Sequence, residues 1–277
     1  MPHSFVRFGV FLVATLVLAG LPYTSASAQI TVRGRLAHDT PAMPGQEITG
    51  SILVDNETMD IQQARVYQTD YLFFADGTNA YNEPGTSARS NARWVSWSPQ
   101  AVTVPPNGSV TISYRIAVPA DADPGSYWSM LMVEAIDPES AESTLGDEPP
   151  ADREVGFRQV TRYGVQVAVH VSETEALKEV AFEGVHLVAT EDGRTLFQAD
   201  IVNTGAAMIR PDVYMRVFDQ EGKEYGPFNG VQFRLYPGTS VRQRIALEGI
   251  PPGTYQAILV VDGGDDAVFG GQYELTI

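Results

Sequence analysis

One pattern of turns and strands occurs twice in the chain, and this repeat limits the possible folds more than any other feature. The first copy, residues 104–134, reads VPPNGSVTISYRIAVPADADPGSYWSMLMVE, and the second, residues 235–262, reads LYPGTSVRQRIALEGIPPGTYQAILVVD. Each copy has a Pro/Gly turn, an alternating strand, a proline turn, then Pro-Gly-Ser/Thr-Tyr and an apolar strand. Self-similarity of this kind marks a repeated structural unit, so two related domains are predicted.

The repeat extends upstream of these segments. Residues 52–71, ILVDNETMDIQQARVYQTDY, match residues 200–219, DIVNTGAAMIRPDVYMRVFD. Each is a strand that ends at an asparagine, followed by a short turn and a strand that carries Val-Tyr. The two domains are therefore predicted at 29–172 and 177–277, with a short polar hinge at 172–175.

The strands themselves predict the fold class. VTISYRIAV, at 110–118, places apolar residues at every second position, which is the period of a half-buried strand. Turn-forming clusters separate such strands, and no helical stripe occurs after residue 28. The chain is predicted to be all-β, with two tandem immunoglobulin-like β-sandwich domains after a cleaved signal peptide.

The first 28 residues predict export. They contain one cation, Arg7, an apolar stretch at 8–20, and small residues at Ala26 and Ala28, which together form a signal peptide with its cleavage site. The longest later apolar run, AILVV at 257–261, is far shorter than a membrane span. We expect an exported protein, periplasmic or extracellular, with no membrane span in the mature chain.

Composition excludes several classes of function. The chain has no cysteine, so disulfides, thiolate metal sites and a cysteine nucleophile are excluded. The formal net charge of −16 argues against nucleic acid or an anionic membrane surface as partner, because both require a basic face.

No sequence motif predicts catalysis, a cofactor or a metal. The histidines at 3, 38, 170 and 186 are far apart, and neither a G-x-S-x-G motif nor a phosphate-binding loop occurs. Ser, His and Asp residues that are distant in the sequence could come together in the fold as a catalytic site, but no motif in the sequence indicates which residues would form it. We expect a non-enzymatic protein without cofactors.

The first domain contains two extra segments. The interval from Asn56 to Ser109 is 53 residues long, whereas the equivalent interval in the second domain, from Asn203 to Ser240, is 37 residues long. The additional residues of the first domain form much of a loop at 75–98. A second excursion, the acidic loop, occupies 134–157.

Because extra loops on a rigid sandwich often carry binding function, aromatic and basic residues of the loop at 75–98 become candidate binding residues. They are Tyr81, Arg89, Arg93, Trp94, Trp97 and, in the neighbouring strand, Trp128. An equally weighted alternative is that Trp94 and Trp97 pack inside the sandwich, while Tyr81 and Arg89 are expected to be exposed.

Arginines at both ends of the first domain are a second candidate site. Arg33 and Arg35 lie in its first predicted strand, and Arg158 and Arg162 lie in FRQVTRYGV, its last predicted strand. A pair of guanidinium groups there could bind a carboxylate. The simpler interpretation, which we prefer at this point, is that they pair with local Asp and Glu residues.

Two families share these features. WVSWSPQAVTVPPNGSVTISYRIAVPADADPGSYWSMLMVE and RYGVQVAVHV resemble the first domain of bacterial WxL-interacting surface proteins, which join two immunoglobulin-like domains after a signal peptide. That resemblance implies binding to peptidoglycan through the first domain and to proteins through the second. The segment SPQAVTVPPNGSVTISYRIAVPADADPGSYW is also similar to periplasmic pilus-assembly chaperones. This similarity implies donation of an edge strand to a subunit, with basic residues on the first and last strands of the first domain anchoring the subunit's terminal carboxylate.

Together these observations predict a binding module of the cell envelope. It would engage another secreted or surface protein through edge strands and the loop at 75–98. A protein that binds peptidoglycan or another glycan is the alternative, and a pilus-assembly chaperone is a second one.

Overall fold

The computed structural model describes residues 30–137, 140, 142–144, 160–264 and 267–277. The predicted signal peptide, Arg158 and most of the acidic loop lie outside these residues. In the described ranges the chain forms strands and two short 3-10 helices, Ala92–Trp94 and Glu173–Glu175. No helix in this part of the chain is long and apolar enough to cross a membrane. The predicted all-β class is confirmed.

Two sheets face each other before residue 172. One has the order β1-β3-β8-β6 and the other has β2-β10-β9-β4-β5, with β7 also paired to β4. These strands are β1 (Thr31–Arg33), β2 (Ala37–Ala42), β3 (Glu47–Asp55), β4 (Gln62–Phe73), β5 (Asn79–Asn82), β6 (Val95–Ser98), β7 (Ala101–Val104), β8 (Ser109–Ala117), β9 (Gly125–Ile136) and β10 (Arg162–Val171).

Two further sheets follow the 3-10 turn at Glu173–Glu175, with the orders β11-β12-β15 and β14-β13-β16-β17. These strands are β11 (Val180–Ala189), β12 (Thr195–Asn203), β13 (Asp212–Phe218), β14 (Glu224–Asn229), β15 (Ser240–Ala246), β16 (Thr254–Asp262) and β17 (Val268–Thr276). Each sheet takes all its strands from one side of this turn, and each pair of sheets encloses its own apolar core. The tandem sandwich architecture is confirmed, whereas the domain boundaries themselves stay a prediction.

The two cores follow from the alternation of the strands. Ile112, Tyr114 and Ile116 of β8 point into the first core, and Ala257, Leu259 and Val261 of β16 point into the second. The central strand β9 is buried along almost its whole length because the other sheet covers one of its faces and further groups cover the other. β9 pairs with β10 along the whole of Arg162–Val171 and carries both Trp128 and Glu134.

The asparagine of the repeat has the same structural role in both domains. The Asn56 side-chain amide donates hydrogen bonds to the carbonyls of Asp60, Val104 and Pro105 at 2.7, 3.2 and 3.0 Å. The Asn203 amide donates to the carbonyls of Ala207 and Leu235, both at 2.8 Å. Each buried asparagine thus joins the turn after its own strand to the turn before the next strand of the sheet.

The tyrosine of the repeat is also equivalent. Tyr127 Oη donates to the carbonyl of Asp123 at 3.1 Å, and Tyr255 Oη donates to that of Pro251 at 2.7 Å. In both cases the acceptor lies four residues upstream, where the proline turn enters the strand. A tyrosine that closes such a corner is a recurring feature of immunoglobulin-like sandwiches.

The first strand of the chain changes sheets within a few residues. β1 pairs antiparallel with β3, while β2 pairs parallel with β10 in the opposite sheet. Gly34 lies at the crossing with a φ of 101°, a conformation that other residues rarely adopt. Because β2 starts only after this crossing, it pairs with the later part of β10 and leaves the earlier part without a strand on its outer side in the described residues.

Candidate functional site

The beginning of β10 has a strand neighbour on one side only. β9 pairs with β10 along all of Arg162–Val171, but pairing with β2 begins at Gln166, opposite Ala37. From Arg162 to Val165, the outer edge of β10 therefore faces no strand in the described part of the chain. Unpaired backbone N–H and C=O groups at such an edge can accept an additional strand.

Two exposed apolar side chains flank this open edge. Leu36 is 44% exposed and Val160 is 48% exposed. Leu36 lies where β2 reaches β10, since its carbonyl accepts a hydrogen bond from Gln166 N–H at 2.8 Å. Val160 lies two residues before β10 begins. Apolar side chains beside an unpaired edge suit contact with a partner better than contact with water.

A charged cluster holds the start of β10 to its sheet. The largely buried Glu134 carboxylate of β9 accepts hydrogen bonds from Tyr67 Oη at 2.7 Å and Arg65 Nη2 at 2.8 Å, and it pairs with Arg162 Nε at 2.7 Å. Burial alone would raise the pKa of Glu134, but the hydrogen bonds from Tyr67, Arg65 and Arg162 outweigh it and the pKa is lowered. The Glu134 carboxylate therefore ties the first residue of β10 to the next two strands of its sheet, β9 and β4.

The described part of the acidic loop docks beside this cluster. Arg65 Nη1 donates to both carboxylate oxygens of Glu142 at 3.0 and 2.8 Å. Two residues on, Thr144 exchanges two hydrogen bonds with the Gln63 side chain. Residues 142–144 are thus attached to the beginning of β4.

The described arginines of the predicted site, Arg33, Arg35 and Arg162, are not assembled as one cluster. Arg33 pairs with the buried Asp55 at 2.7 Å, in the sheet opposite β10. Arg162 pairs with Glu134, and Arg158 lies outside the described residues. For Arg33 and Arg162 the local carboxylate is the partner. Arg35 is exposed in the crossing between β1 and β2 and makes no ion pair with any described residue.

The predicted binding loop at 75–98 is largely a packed structure. It forms β5, a turn, a 3-10 helix and β6. The buried carboxylate of Asp70 in β4 accepts hydrogen bonds from the N–H groups of Gly85, Thr86 and Ser87, and from Ser90 Oγ. Burial would raise the pKa of Asp70, but these hydrogen bonds lower it. A single carboxylate therefore fixes the turn of the loop.

Both tryptophans of the loop pack against the first core, as the alternative interpretation predicted. The Trp94 ring lies 4.5 Å from the Tyr127 ring, and Trp97 Nε1 donates to the carbonyl of Val66 at 3.3 Å. Arg89 is only partly exposed, because its guanidinium lies over Tyr127 and donates to that hydroxyl at 2.9 Å. The expectation that Arg89 is freely exposed is therefore wrong, since the residue supports the Tyr127 corner.

Two of the predicted loop residues are exposed. Arg93 lies on the surface over Gly85. Tyr81 of β5 is 56% exposed, and its ring lies 5.1 Å from that of Tyr71 in β4. Asn79 lies beside them and accepts a hydrogen bond from Tyr71 Oη at 2.8 Å. This aromatic pair is the part of the loop that a partner can reach.

Trp128 is not on the surface. It is 3% exposed, its Nε1 donates to the carbonyl of Tyr71 at 2.7 Å, and its ring lies 4.7 Å from that of Tyr236. Because Tyr236 belongs to the second domain, Trp128 joins the two domains and cannot touch an external partner. Its prediction as a binding residue is corrected accordingly.

Polar groups surround this aromatic contact and form what we call the interdomain junction. Asp39 of β2 accepts a hydrogen bond from Tyr236 Oη at 2.9 Å and pairs with Arg234 Nη2 at 3.0 Å. Ser126 N–H donates to the carbonyl of Ala206 at 2.8 Å. These contacts run from the outer face of the β2-β10-β9 sheet to the second domain.

The junction includes a Ser-His-Asp arrangement that the sequence did not reveal. Ser126 Oγ lies 2.8 Å from His170 Nδ1, and His170 Nε2 lies 3.6 Å from Asp39 Oδ1, longer than a hydrogen bond. Ser126 is buried, and its Oγ also accepts a hydrogen bond from Met208 N–H at 2.8 Å. A nucleophile must reach a substrate, whereas this oxygen is covered by the second domain, so the arrangement serves the junction.

The junction perturbs two ionisable groups strongly. The pKa of Asp39 falls from 3.8 to about 2, first because of its interaction with His170 and further because of Tyr236 and Arg234, which together outweigh burial. Burial, followed by the nearby Asp39 carboxylate, raises the pKa of Tyr236 far above its usual value. Asp39 is thus a charged carboxylate at any ordinary pH, and Tyr236 is its neutral donor.

Comparisons with known proteins identify no family. No family model matches the chain, and no curated protein matches it. Among solved structures, the chain is similar to one from the chaperone–tip adhesin complex of CFA/I fimbriae and to the class 5 fimbriae chaperone CfaA. Both are 11% identical, with TM-scores of 0.48 and 0.46, and each match covers 88% of this chain and 98% of that chain.

A third similar structure is the CsuC–CsuE chaperone–tip adhesion subunit complex from archaic chaperone-usher Csu pili of Acinetobacter baumannii. It is 10% identical, with a TM-score of 0.43, over 89% of this chain and 98% of that chain. The resemblance to WxL-interacting surface proteins stays a prediction.

Proposed function

We propose that the protein is a non-enzymatic binding module of the cell envelope that engages another exported protein by strand addition at the open edge of β10. The observation that carries this proposal is the register of β2, which pairs with β10 only from Gln166 onward. An incoming strand can pair with Arg162–Val165, and Leu36 and Val160 contact its side chains. Main-chain hydrogen bonds would supply affinity, and these apolar contacts would supply selectivity.

A chaperone-like role fits the shape of this edge. The incoming strand has to end near Leu36, because β2 occupies the outer side of β10 beyond that point. Arg35, next to Leu36, is exposed and has no ion pair among the described residues. Of the three candidate arginines that the structure describes, Arg33 and Arg162 pair with local carboxylates, which leaves Arg35 to bind a terminal carboxylate of a partner. Export to the periplasm or the cell surface remains part of this proposal.

Capture from envelope extract tests the proposal with a matched pair of variants. Leu36→Lys/Val160→Lys places two charges beside the open edge. Met59→Lys/Ile61→Lys adds the same charge at two other exposed apolar residues, 79% and 45% exposed, in the turn between β3 and β4. We expect the first variant to recover at least tenfold less of a discrete partner, and the second to recover as much as the unchanged protein.

Two outcomes contradict the proposal. One is that the unchanged protein captures no discrete partner at moderate salt. The other is that both double variants lose the partner equally, which would mean that added positive charge acts wherever it is placed.

Glycan binding is a second candidate, favoured by the exposed Tyr81–Tyr71 pair with Asn79 at its side. Aromatic rings with neighbouring amides suit sugar faces and hydroxyls. Co-sedimentation with purified cell wall would be lost in Tyr81→Ala and retained in Met43→Ala, since Met43 is a large exposed residue (62%, against 56% for Tyr81) that lies outside the aromatic pair. Sedimentation that survives Tyr81→Ala excludes this pair as the site.

A further inference from the structure

The last strand of the second domain has an entirely open edge. β17 pairs with β16 along all nine of its residues, from Val268 to Thr276. On its other side no strand is paired with it in the described residues, since β11 pairs only with β12. In the first domain, by contrast, β2 covers most of the equivalent strand β10.

This edge lacks the usual protection against association. β17 reads VFGGQYELT, with no proline, no lysine and a single charge at Glu274. Exposed sheet edges normally carry charges, proline or bulges that prevent pairing with another chain. The register with β16 is regular along the whole strand, so no bulge interrupts it. An open, regular and nearly uncharged edge of this length is suited to pairing.

We propose that β17 pairs antiparallel with β17 of a second copy of this chain, across a two-fold axis at Gln272. The two four-stranded sheets β14-β13-β16-β17 would then form one continuous sheet of eight strands. An interface between identical patches closes on itself, so it produces a dimer and does not propagate. The dimer uses an edge of the second domain and leaves the open edge of β10 free.

The sequence of β17 complements itself in this register. With the axis at Gln272, residues that lie equally far before and after position 272 face each other. Phe269 therefore lies opposite Leu275, and Gly271 lies opposite Tyr273, on the core side. The Tyr273 ring lies over Gly271 of its own strand, so no two large side chains face each other beside the axis. On the outer side, Val268 faces Thr276 and Gly270 faces Glu274.

Electrostatics do not oppose the contact itself. Glu274 of one copy and Glu274 of the other lie four positions apart along the paired strands, about 13 Å at 3.3 to 3.4 Å per residue. This distance exceeds the screening length of about 8 Å at physiological ionic strength. The whole chain is strongly acidic, however, with a formal charge of −16. Salt must therefore strengthen the dimer, because it screens repulsion between the two copies.

Charge placed at the axis tests the proposal. Gln272 is exposed, and in Gln272→Lys two lysines would face each other directly, which destabilises strand pairing. Gln256→Lys is the matched control, because Gln256 is an exposed glutamine on β16 whose strand is paired on both sides by β13 and β17. With the full mature chain in 0.5 M salt, light scattering and sedimentation are expected to show a dimer for the unchanged protein and for Gln256→Lys. For Gln272→Lys, the dimer is expected to be at least tenfold weaker.

A mixing experiment separates interface loss from misfolding. Gln272→Glu should also be monomeric alone, and an equal mixture of Gln272→Glu and Gln272→Lys should restore dimers, which requires both variants to be folded. A monomeric unchanged protein at 100 µM overturns the proposal. So does a Gln272→Lys variant that dimerises as well as the unchanged protein, or a mixture of the two variants that stays monomeric.

Discussion

The two domains use one skeleton, and their differences mark where the molecule makes contacts beyond a single sandwich. The buried asparagines, Asn56 and Asn203, bind equivalent turns, and Tyr127 and Tyr255 close equivalent corners. At two positions that align between the copies of the repeat, one domain has an aromatic residue and the other does not. Trp128 stands where the second domain has Gln256, and Tyr236 stands where the first has Pro105. These two aromatic residues pack on each other across the interdomain junction.

The edges differ as clearly as the junction does. β10 is covered by β2 from Gln166 onward, whereas β17 is uncovered along its whole length in the described residues. Comparison of the two copies of the repeat therefore distinguishes residues that both domains share from residues that only one domain has. The shared asparagines and tyrosines maintain each sandwich, whereas Trp128 and Tyr236, which each occur in one copy only, join the two domains.

The largest effect is expected when the first domain is made to resemble the second at the junction. Trp128→Gln removes a buried ring that contacts Tyr236 and a hydrogen bond to the carbonyl of Tyr71. Loss of a buried tryptophan costs about 4 kcal/mol, so the midpoint of chemical unfolding should fall sharply. If the junction couples the domains, unfolding that was one transition should separate into two.

A double-mutant cycle with Tyr236→Ala tests that interpretation. Rings in contact should give a coupling energy above about 1 kcal/mol, and additive effects would mean that Trp128 stabilises only its own domain.

Removing the shared asparagine should affect both domains alike. Asn56→Ala and Asn203→Ala each remove the buried side-chain hydrogen bonds that join two turns, so we expect a loss of about 3 kcal/mol in each case. Intrinsic tryptophan fluorescence reports on the first domain, which contains all three tryptophans, and circular dichroism reports on both. A large loss in one variant and none in the other would show that the repeat does not have one structural role.

The repeat explains why the fold could be predicted from the sequence. Alternation in a segment such as 110–118 is a local property, and its recurrence beside Pro-Gly-Ser/Thr-Tyr indicated two related β-sandwich domains. The junction could not be predicted in the same way. Asp39 and Tyr236 are separated by 197 positions, and no pattern near either residue indicates that they bind.

The candidate site was harder to predict for a related reason. Tryptophan in an inserted loop is typical of both a binding surface and a packed loop, and only the position of Tyr127 decides that Trp94 is packed. The open edge of β10 depends on where β2 begins to pair, which is a matter of register rather than composition. The difference between Trp128 and Gln256 did signal a special role, but the partner of Trp128 lies inside the molecule.

The junction carboxylate predicts a specific dependence on acid. Asp39 has a pKa of about 2 in the folded protein against an ordinary value of 3.8. A lowered pKa means that its contribution to stability is complete above pH 4 and is lost as the pH falls toward 2. At 1.36 kcal/mol per pKa unit, this contribution is about 2 kcal/mol. Asp39→Asn should therefore be less stable by about that amount at pH 7.

The measurement is the unfolding free energy of both proteins between pH 7 and pH 2, at constant salt. The difference between Asp39→Asn and the unchanged protein should shrink below pH 4, because the unchanged protein loses the same charge there. A difference that stays constant down to pH 2 would show that the carboxylate's charge is not what joins Arg234 and Tyr236 to the first domain.

The smallest expected effect separates the two tyrosine corners. Tyr127 Oη both donates to the carbonyl of Asp123 and accepts a hydrogen bond from Arg89, whereas Tyr255 Oη bonds only to the carbonyl of Pro251 among the described residues. Tyr127→Phe should cost about 1 to 2 kcal/mol, since a hydrogen bond from a charged group is lost as well. Tyr255→Phe should cost less, as measured by thermal unfolding. Equal losses would mean that the hydrogen bond from Arg89 adds nothing to the Tyr127 corner.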